Sequence, residues 1–301
     1  MEKLIEELKR LNIKIEENVL LSNYTSYKVG GKARLIVYPS DISTLVNVVK
    51  LINDNNLKFK ILGNGTNLLF SSKDYDNILI KLSNLNKYEI KGNKIFADAG
   101  ASLPRLAVIA KNASLTGLEF AAGIPGSIGG AIFQNAGAYK SDMGYITSSV
   151  KVLTPDYRII NFTNKECNFH YRESFFTDHP DYIILSAILV LEKGNKNAIE
   201  SVMKDRLERR IKSQPLNYPS AGSVFRNPEN ESAGKLIEDL GLKGLRIGGA
   251  EVSKKHANFV INVHNAKAED IHKLILFVKD KVKEEYGIDL KIEQEFVNWE
   301  N

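Results

Sequence analysis

The segment Gly117–Tyr139, GLEFAAGIPGSIGGAIFQNAGAY, constrains the fold more than any other stretch of the chain. Gly123, Gly126, Gly129, Gly130 and Gly137 crowd it, with small residues between them. Inside regular elements each glycine costs roughly 0.5–1 kcal/mol relative to alanine. A chain that keeps them together needs exposed backbone, and a residue without Cβ lets N–H groups approach a phosphate closely. A second loop, Gly63-Asn64-Gly65-Thr66-Asn67-Leu68, follows the strand-like run Leu57–Leu62. Alone, that Gly-x-Gly reads as a tight turn. Together the two loops suggest a dinucleotide clamped by backbone amides. Neither opens a long helix as G-x-G-x-x-G, which argues against a doubly wound dinucleotide fold. Gly137-Ala138-Tyr139-Lys140-Ser141 lacks the adjacent Gly-Lys of a phosphate loop, so that route to nucleotide hydrolysis is rejected.

Around these loops the hydrophobic pattern mixes both periods. Met1–Asn12 reads as an amphipathic helix, and Asp41–Asn55 places Ile42, Leu45, Val46, Val49 and Ile52 at helical spacing behind a Ser40 or Asp41 cap. Ile78–Leu82 reads as a strand, and Tyr88–Ala97 as a hairpin turning at Lys91-Gly92-Asn93. Leu103–Ser114 is a further helix. Strands follow at Ser149–Thr154, Arg158–Phe162 and Tyr182–Leu191. Lys193-Gly194-Asn195-Lys196 marks a module boundary. Beyond it come helices at Asn197–Lys212, Ala233–Leu240 and Ala268–Glu285, and an extended tail at Leu290–Trp299. The class is α+β.

The 301 residues fit two or three modules, and 43% hydrophobic with 26% charged residues is ordinary globular composition. No apolar run approaches the roughly 18–20 residues of a spanning helix, so no membrane insertion is expected. The N-terminus lacks the continuous apolar core of a signal peptide. The net charge of +5 is spread out, with no basic run interleaved with aromatics, so nucleic acid is not an expected partner. One cysteine, Cys167, excludes an internal disulfide and a multi-cysteine zinc site, and a cytoplasmic setting is the default. Cys167 and His170 have no second pair to complete a metal site, so no metal is expected.

Three ionic or hydroxyl side chains lie in dense segments. Arg172, in Tyr171-Arg172-Glu173-Ser174, is either a solvated arginine paired with Glu173 or a planar fork for a carboxylate. Ser223, in SAGSVFRN, is by itself an ordinary structural serine. Glu295 alternates with Ile292 and Phe296 in a strand-like run, and spacing alone does not separate it from Glu293.

These segments, in this order, resemble the UDP-N-acetylenolpyruvoylglucosamine reductase family. The resemblance runs from Asn23-Tyr24-Thr25-Ser26-Tyr27-Lys28-Val29-Gly30-Gly31 through both glycine loops. It continues through Tyr171-Arg172-Glu173-Ser174 and Ala221-Gly222-Ser223-Val224-Phe225-Arg226-Asn227-Pro228. It then covers Leu242-Lys243-Gly244, Ile247-Gly248-Gly249-Ala250 and His256-Ala257-Asn258-Phe259.

The resemblance implies a two-part FAD-binding module of the vanillyl-alcohol-oxidase type over 1–194, split near 84. It implies a substrate-binding domain over 195–285, and a tail, 286–301, that returns to the FAD module. The expected activity is NADPH-dependent reduction of UDP-N-acetylglucosamine enolpyruvate to UDP-N-acetylmuramate, a peptidoglycan precursor. FAD is expected to bind without a covalent link, with NADPH as co-substrate and the protein a cytoplasmic monomer. By similarity, Gly63, Asn64, Gly65, Thr66, Asn67 and Leu68 bind FAD. So do Gly123, Pro125, Gly126, Ser127, Ile128, Gly129, Gly130, Asn135, Gly137 and Ala138. Arg172, Ser223 and Glu295 match the catalytic trio, with Ser223 as proton donor. Asn227 and Lys243 match ligands of the uridine diphosphate part, and His256 belongs to the same pocket.

The chain departs from the pattern in places. Many relatives have Glu-Pro-Glu before the last strand, where this chain has Glu293-Gln294-Glu295, which adds a backbone donor and frees φ. Arg226 stands where relatives often have Lys. The short stretch from Ser174 to Leu191 lacks the extra tyrosine-bearing substrate loop of one subclass. Two other readings compete. A flavin oxidase of the same fold often tethers FAD through a histidine near the first loop, but the first histidine here is His170. A sugar-nucleotide sensor without turnover need not retain all three of Arg172, Ser223 and Glu295.

Overall fold

Why does the chain begin with a helix? In Glu2–Arg10 the buried residues Leu4 and Leu8 are four apart, on one face. The computed structural model describes residues 1–299, and they divide into two compact units. The first is formed by residues 1–17, 35–64 and 77–208, the second by 18–34, 65–76 and the described residues from 209 onward.

In the first unit the helix Ile42–Asp54 buries Leu45, Val48, Val49 and Ile52. The Asp41 carboxylate caps it, accepting from Thr44 N at 2.7 Å, and that bond holds the carboxyl below its ordinary range. A four-stranded sheet runs in the order Lys14–Leu20, Lys32–Tyr38, Tyr75–Lys81, Phe59–Leu62. Its last pair is parallel, with Leu62 opposite Lys81. A five-stranded antiparallel sheet runs Ile159–Thr163, Thr147–Leu153, Ile183–Val190, Lys94–Asp98, Tyr88–Lys91. The last two form the expected hairpin, and Gly92 takes φ +63° at its reversal. One continuous core joins these elements, from Leu4 and Ile80 to Phe176 and Leu189.

In the second unit, a three-stranded antiparallel sheet (Arg246–Ile247, Ala250–Val252, Val260–Asn262) packs with the helix Ala268–Tyr286. The helix buries Ile271, Leu274, Ile275, Val278 and Val282 and ends at Gly287, left-handed at φ +69°. Tyr27, Val29 and Leu69 belong to this core together with Phe225 and Ile237.

That membership is why the units are not consecutive stretches of chain. The sequence puts everything before residue 195 in one module, yet 18–34 and 65–76 are compact with the C-terminal residues. Nor does the chain change unit at Lys193-Gly194. Glu192–Lys193 pairs with Leu115–Thr116, and Gly194 N donates to Ser114 O at 2.9 Å. The change comes later, within the helix Lys196–Ser213. Only Glu295–Val297 of the expected extended tail forms a regular strand. It lies parallel to Leu68–Phe70, with Glu295 opposite Leu68.

Candidate functional site

Gly63 and Ser127, one from each glycine loop, lie near each other within the first unit. Gly63 follows the strand Phe59–Leu62, and a Cβ added to it would lie 3.3 Å from Ser127 Oγ. Ser127 caps the helix Ile128–Phe133, its hydroxyl accepting from Gly130 N at 3.4 Å. The loop is tied down from behind. Leu103 N donates to Gly126 O at 3.0 Å, Ile128 N to Ala101 O at 2.9 Å, and Gly129 N to Ala99 O at 2.7 Å. Gly129 is packed closely, its added Cβ meeting Ala99 Cβ at 3.0 Å, whereas nothing lies within 4 Å of a Cβ at Gly126. One side of the loop is therefore fixed and the other open.

Arg172 sits on a tight turn of the same unit. His170 N donates to Glu173 O at 2.9 Å and Glu173 N to His170 O at 3.1 Å, with Arg172 at φ +60° between them. The turn is fastened to the glycine-rich segment twice. Asn135, almost fully buried, donates to His170 O at 2.8 Å, and Arg172 Nη2 donates to Gly137 O at 2.9 Å. The guanidinium lies 5.2 Å from the Tyr171 ring. Asn135 Oδ1 also accepts from Gly144 N at 2.9 Å, which accounts for its burial. The Cys167 thiol close by in sequence is buried, and burial, with Glu166 adding to it, pushes it up to about 12. A buried thiol held protonated in this way is not poised as a nucleophile.

Ser223 and Glu295 both belong to the second unit, and Gln294 links them. Gln294 Nε2 points at the carbonyls of Ala221, Gly222 and Ser223, at 3.2, 3.3 and 3.4 Å. Its Oε1 accepts from the Tyr27 hydroxyl at 2.9 Å. Glu293 N donates to Val224 O at 2.8 Å, and Arg226 N to Lys291 O at 2.9 Å. The tail thus runs beside Val224–Arg226 before it reaches Leu68–Phe70. There Glu295 N donates to Asn67 O at 2.9 Å, and Asn67 Nδ2 donates to Glu293 O at 3.1 Å. So Asn67 of the first glycine loop, Glu295 and the Ser223 segment share one hydrogen-bonded network. Gly65 makes the loop possible, because at φ +63° an added Cβ would fall 1.9 Å from Tyr24 O.

Asn227, Lys243 and His256 surround the helix Ala233–Asp239. Asn227 Oδ1 accepts from Ala233 N at 3.1 Å, at the helix start. Lys243 Nζ pairs with Glu238 Oε1 at 2.6 Å. His256 Cε1 lies 3.4 Å from the Cβ position of Gly234. Burial first, and then the Lys243 charge, pull the His256 imidazole below its ordinary 6.5.

Sequence reasoning passed over Tyr27, Asn258 and the role of Gln294. Asn258 locks the Ser223 segment through three bonds to backbone. Its Oδ1 accepts from Phe225 N at 2.9 Å, its Nδ2 donates to Phe225 O at 2.8 Å, and its O accepts from Val224 N at 2.9 Å. The available signal for Gln294 was its replacement of a proline.

Two family descriptions match the chain. Residues 33–163 match the FAD binding domain, and residues 214–297 match the UDP-N-acetylenolpyruvoylglucosamine reductase C-terminal domain. A UDP-N-acetylenolpyruvoylglucosamine reductase from Thermotoga sp. (strain RQ2) is 44% identical over 296 residues, 98% of this chain and 97% of that protein. One from Caldanaerobacter subterraneus subsp. tengcongensis is 43% identical over 98% of both chains. The chain belongs to the UDP-N-acetylenolpyruvoylglucosamine reductase family. A solved reductase of that name, from Thermus caldophilus, matches at TM-score 0.82 and 34% identity, covering 94% of this chain and 99% of that one. The glucose dehydrogenase Phl p 4.0202, at 14% identity and TM-score 0.50, shares the fold alone.

As a member of this reductase family the chain is an FAD-dependent oxidoreductase with an α+β fold and a flavin module of the vanillyl-alcohol-oxidase type. The residues present fit that group. At Gly126, next to the Ser127 hydroxyl, nothing lies within 4 Å of an added Cβ, so the backbone there is open to a ligand. The amides of Ile128, Gly129 and Gly130 are spent inside the fold, so those of the preceding residues suit a diphosphate. Among the described residues no helix is long and apolar enough to cross a membrane.

Proposed function

We propose that this chain reduces UDP-N-acetylglucosamine enolpyruvate to UDP-N-acetylmuramate with NADPH, using Arg172, Ser223 and Glu295 as its catalytic residues. The observation that carries the reading is the Gln294 clamp. It ties the Ser223 segment to the strand that starts with Glu295, the two positions where the reaction needs a proton donor and a charge stabiliser.

FAD, when bound, supplies hydride carriage from NADPH to the terminal carbon of the enolpyruvyl double bond. The chain's own residues deal with the consequence. Negative charge develops on the α-carbon and its carboxylate. A fixed guanidinium at Arg172, held by the Gly137 carbonyl, stabilises that charge without reorganising. Glu295, protonated or hydrogen-bonded, supports the same enolate. Ser223 gives its hydroxyl proton to the α-carbon. Serine is a weak acid, but a carbon-centred enolate is a strong enough base to take the proton, and a placed acid contributes about 10²–10⁴-fold.

FAD is held without a covalent link by Gly63–Leu68 and Gly123–Gly130, with Asn135, Gly137 and Ala138. Along the sequence the FAD-binding motifs fall within residues 1–194 and the substrate-binding ones within 195–285, a division of motifs and not of the compact units. Asn227, Lys243 and His256 hold the uridine diphosphate portion. The protein works as a cytoplasmic monomer. What supports the residue assignments is the resemblance of these motifs to the family's pattern.

Anaerobic absorbance spectra test the reading. The flavin bands bleach with NADPH and return when UDP-N-acetylglucosamine enolpyruvate is added. Bands that bleach and never return reject the substrate, and a protein that takes up no FAD rejects the flavin site.

A further inference from the structure

Lys81 is a side chain of the first unit to which the proposed reaction gives no task. It ends the strand Tyr75–Lys81, in parallel register with Leu62, so its side chain stands beside the residue just before Gly63. Its Nζ donates to Gly63 O at 2.8 Å. The stem is part-buried, and burial pulls the ammonium below its usual range, opposed by Glu16. Ordering and partly desolvating a lysine is costly unless its hydrogen bond matters locally.

The direction of that bond has a consequence. The Gly63–Asn64 peptide is trans, and in a planar trans peptide the C=O and the following N–H point in opposite directions. Anchoring the Gly63 carbonyl on Lys81 therefore turns the Asn64 N–H away from the sheet end. A Cβ added at Gly63 would lie 3.3 Å from Ser127 Oγ, so the anchored peptide sits beside the second glycine loop. A loop that must offer amides to an anion before the anion arrives gains from such a fixed peptide.

We propose that Lys81 is a positioning residue for the FAD diphosphate: it fixes the Gly63–Asn64 peptide so that the Asn64 amide faces the phosphate. This rests on the reading of the glycine loop as an FAD site. The test compares wild type, Lys81→Met and Lys81→Arg. FAD affinity of each apoprotein is read by fluorescence, and backbone amide exchange is followed over residues 63–66 and over the sheet strand Ile183–Val190. Lys81→Met weakens FAD binding by about tenfold, the loss of one charge-assisted hydrogen bond. It speeds exchange at 63–66 and not in the sheet strand. Lys81→Arg restores both to within about threefold. An unchanged FAD affinity in Lys81→Met overturns the proposal. So does exchange that rises equally in the sheet, or failure of arginine to restore. Should Lys81→Met not fold, Lys81→Gln is judged by the same readings. A wild-type apoprotein that does not bind FAD rejects the flavin site itself, while the exchange comparison still judges the anchoring.

Discussion

The Tyr27 hydroxyl donates to Gln294 Oε1 at 2.9 Å, and both side chains are buried. Burial drives the phenol's pKa well above its ordinary value. The bond joins the Asn23–Gly31 motif to the tail and completes the clamp on the Ser223 segment. Tyr27→Phe leaves the Gln294 oxygen without its donor and lowers unfolding free energy by about 1–2 kcal/mol. Gln294→Ala costs a similar amount, and the double variant costs clearly less than the sum. Urea titrations of the four proteins check it, and strict additivity refutes the coupling.

Ser223→Ala separates the two halves of the reaction. Flavin bleaching by NADPH keeps its rate, while reoxidation by the enolpyruvyl sugar slows by about 10²–10⁴-fold. Stopped-flow absorbance reads each half. Equal slowing of both removes Ser223 from the proton-donor role.

Arg172 holds its place through one fork nitrogen on the Gly137 carbonyl and a left-handed backbone that the His170–Glu173 turn enforces. Lysine keeps charge and loses the planar fork. Arg172→Lys therefore lowers kcat by about tenfold or more and changes KM for the UDP-sugar much less. A rise in KM at constant kcat indicates uniform binding instead of charge stabilisation.

His256 makes stability depend on pH. Its Nδ1 accepts from Asn258 N at 3.3 Å, which needs the neutral ring, and burial and Lys243 both oppose protonation. The folded value lies below the unfolded 6.5, so the unfolded chain takes up a proton first. The contribution is complete above that value and is lost as pH falls through the window beneath it. Denaturation midpoints at pH 8 and pH 5.5 show a loss in wild type and a smaller one in His256→Gln. His272, also lowered by burial, adds a residual slope of the same sign. An unchanged slope in His256→Gln contradicts the assignment.

Much of this was legible in the sequence because short-range physics sets it. The helix cap, read as Ser40 or Asp41 and found at Asp41, the Gly92 hairpin and the amphipathic helices depend on neighbours a few residues away. The unit boundaries did not, because Tyr27 and Leu69 join a core whose other members come from beyond residue 209. Glu295 could not be told from Glu293 by alternation. The structure gives their backbones different partners, Glu293 N bonding Val224 O and Glu295 N bonding Asn67 O, while the choice of Glu295 rests on the family resemblance. Gln294 read only as a missing proline, because its partners Tyr27 and Ala221 lie 267 and 73 residues away.

The glycines themselves give a sharp contrast. At Gly65 an added Cβ would overlap Tyr24 O, and φ is +63°, so Gly65→Ala strains the apoprotein and lowers its stability by at least about 1 kcal/mol. At Gly126 nothing lies within 4 Å and φ is not in the left-handed range. Gly126→Ala should then leave apoprotein stability unchanged or slightly raised, by up to about 0.5–1 kcal/mol. Yet its methyl enters the open face assigned to the cofactor, so FAD affinity falls. Thermal melts of apoprotein with and without FAD read both effects, and a full FAD-induced shift in Gly126→Ala moves the diphosphate away from that face.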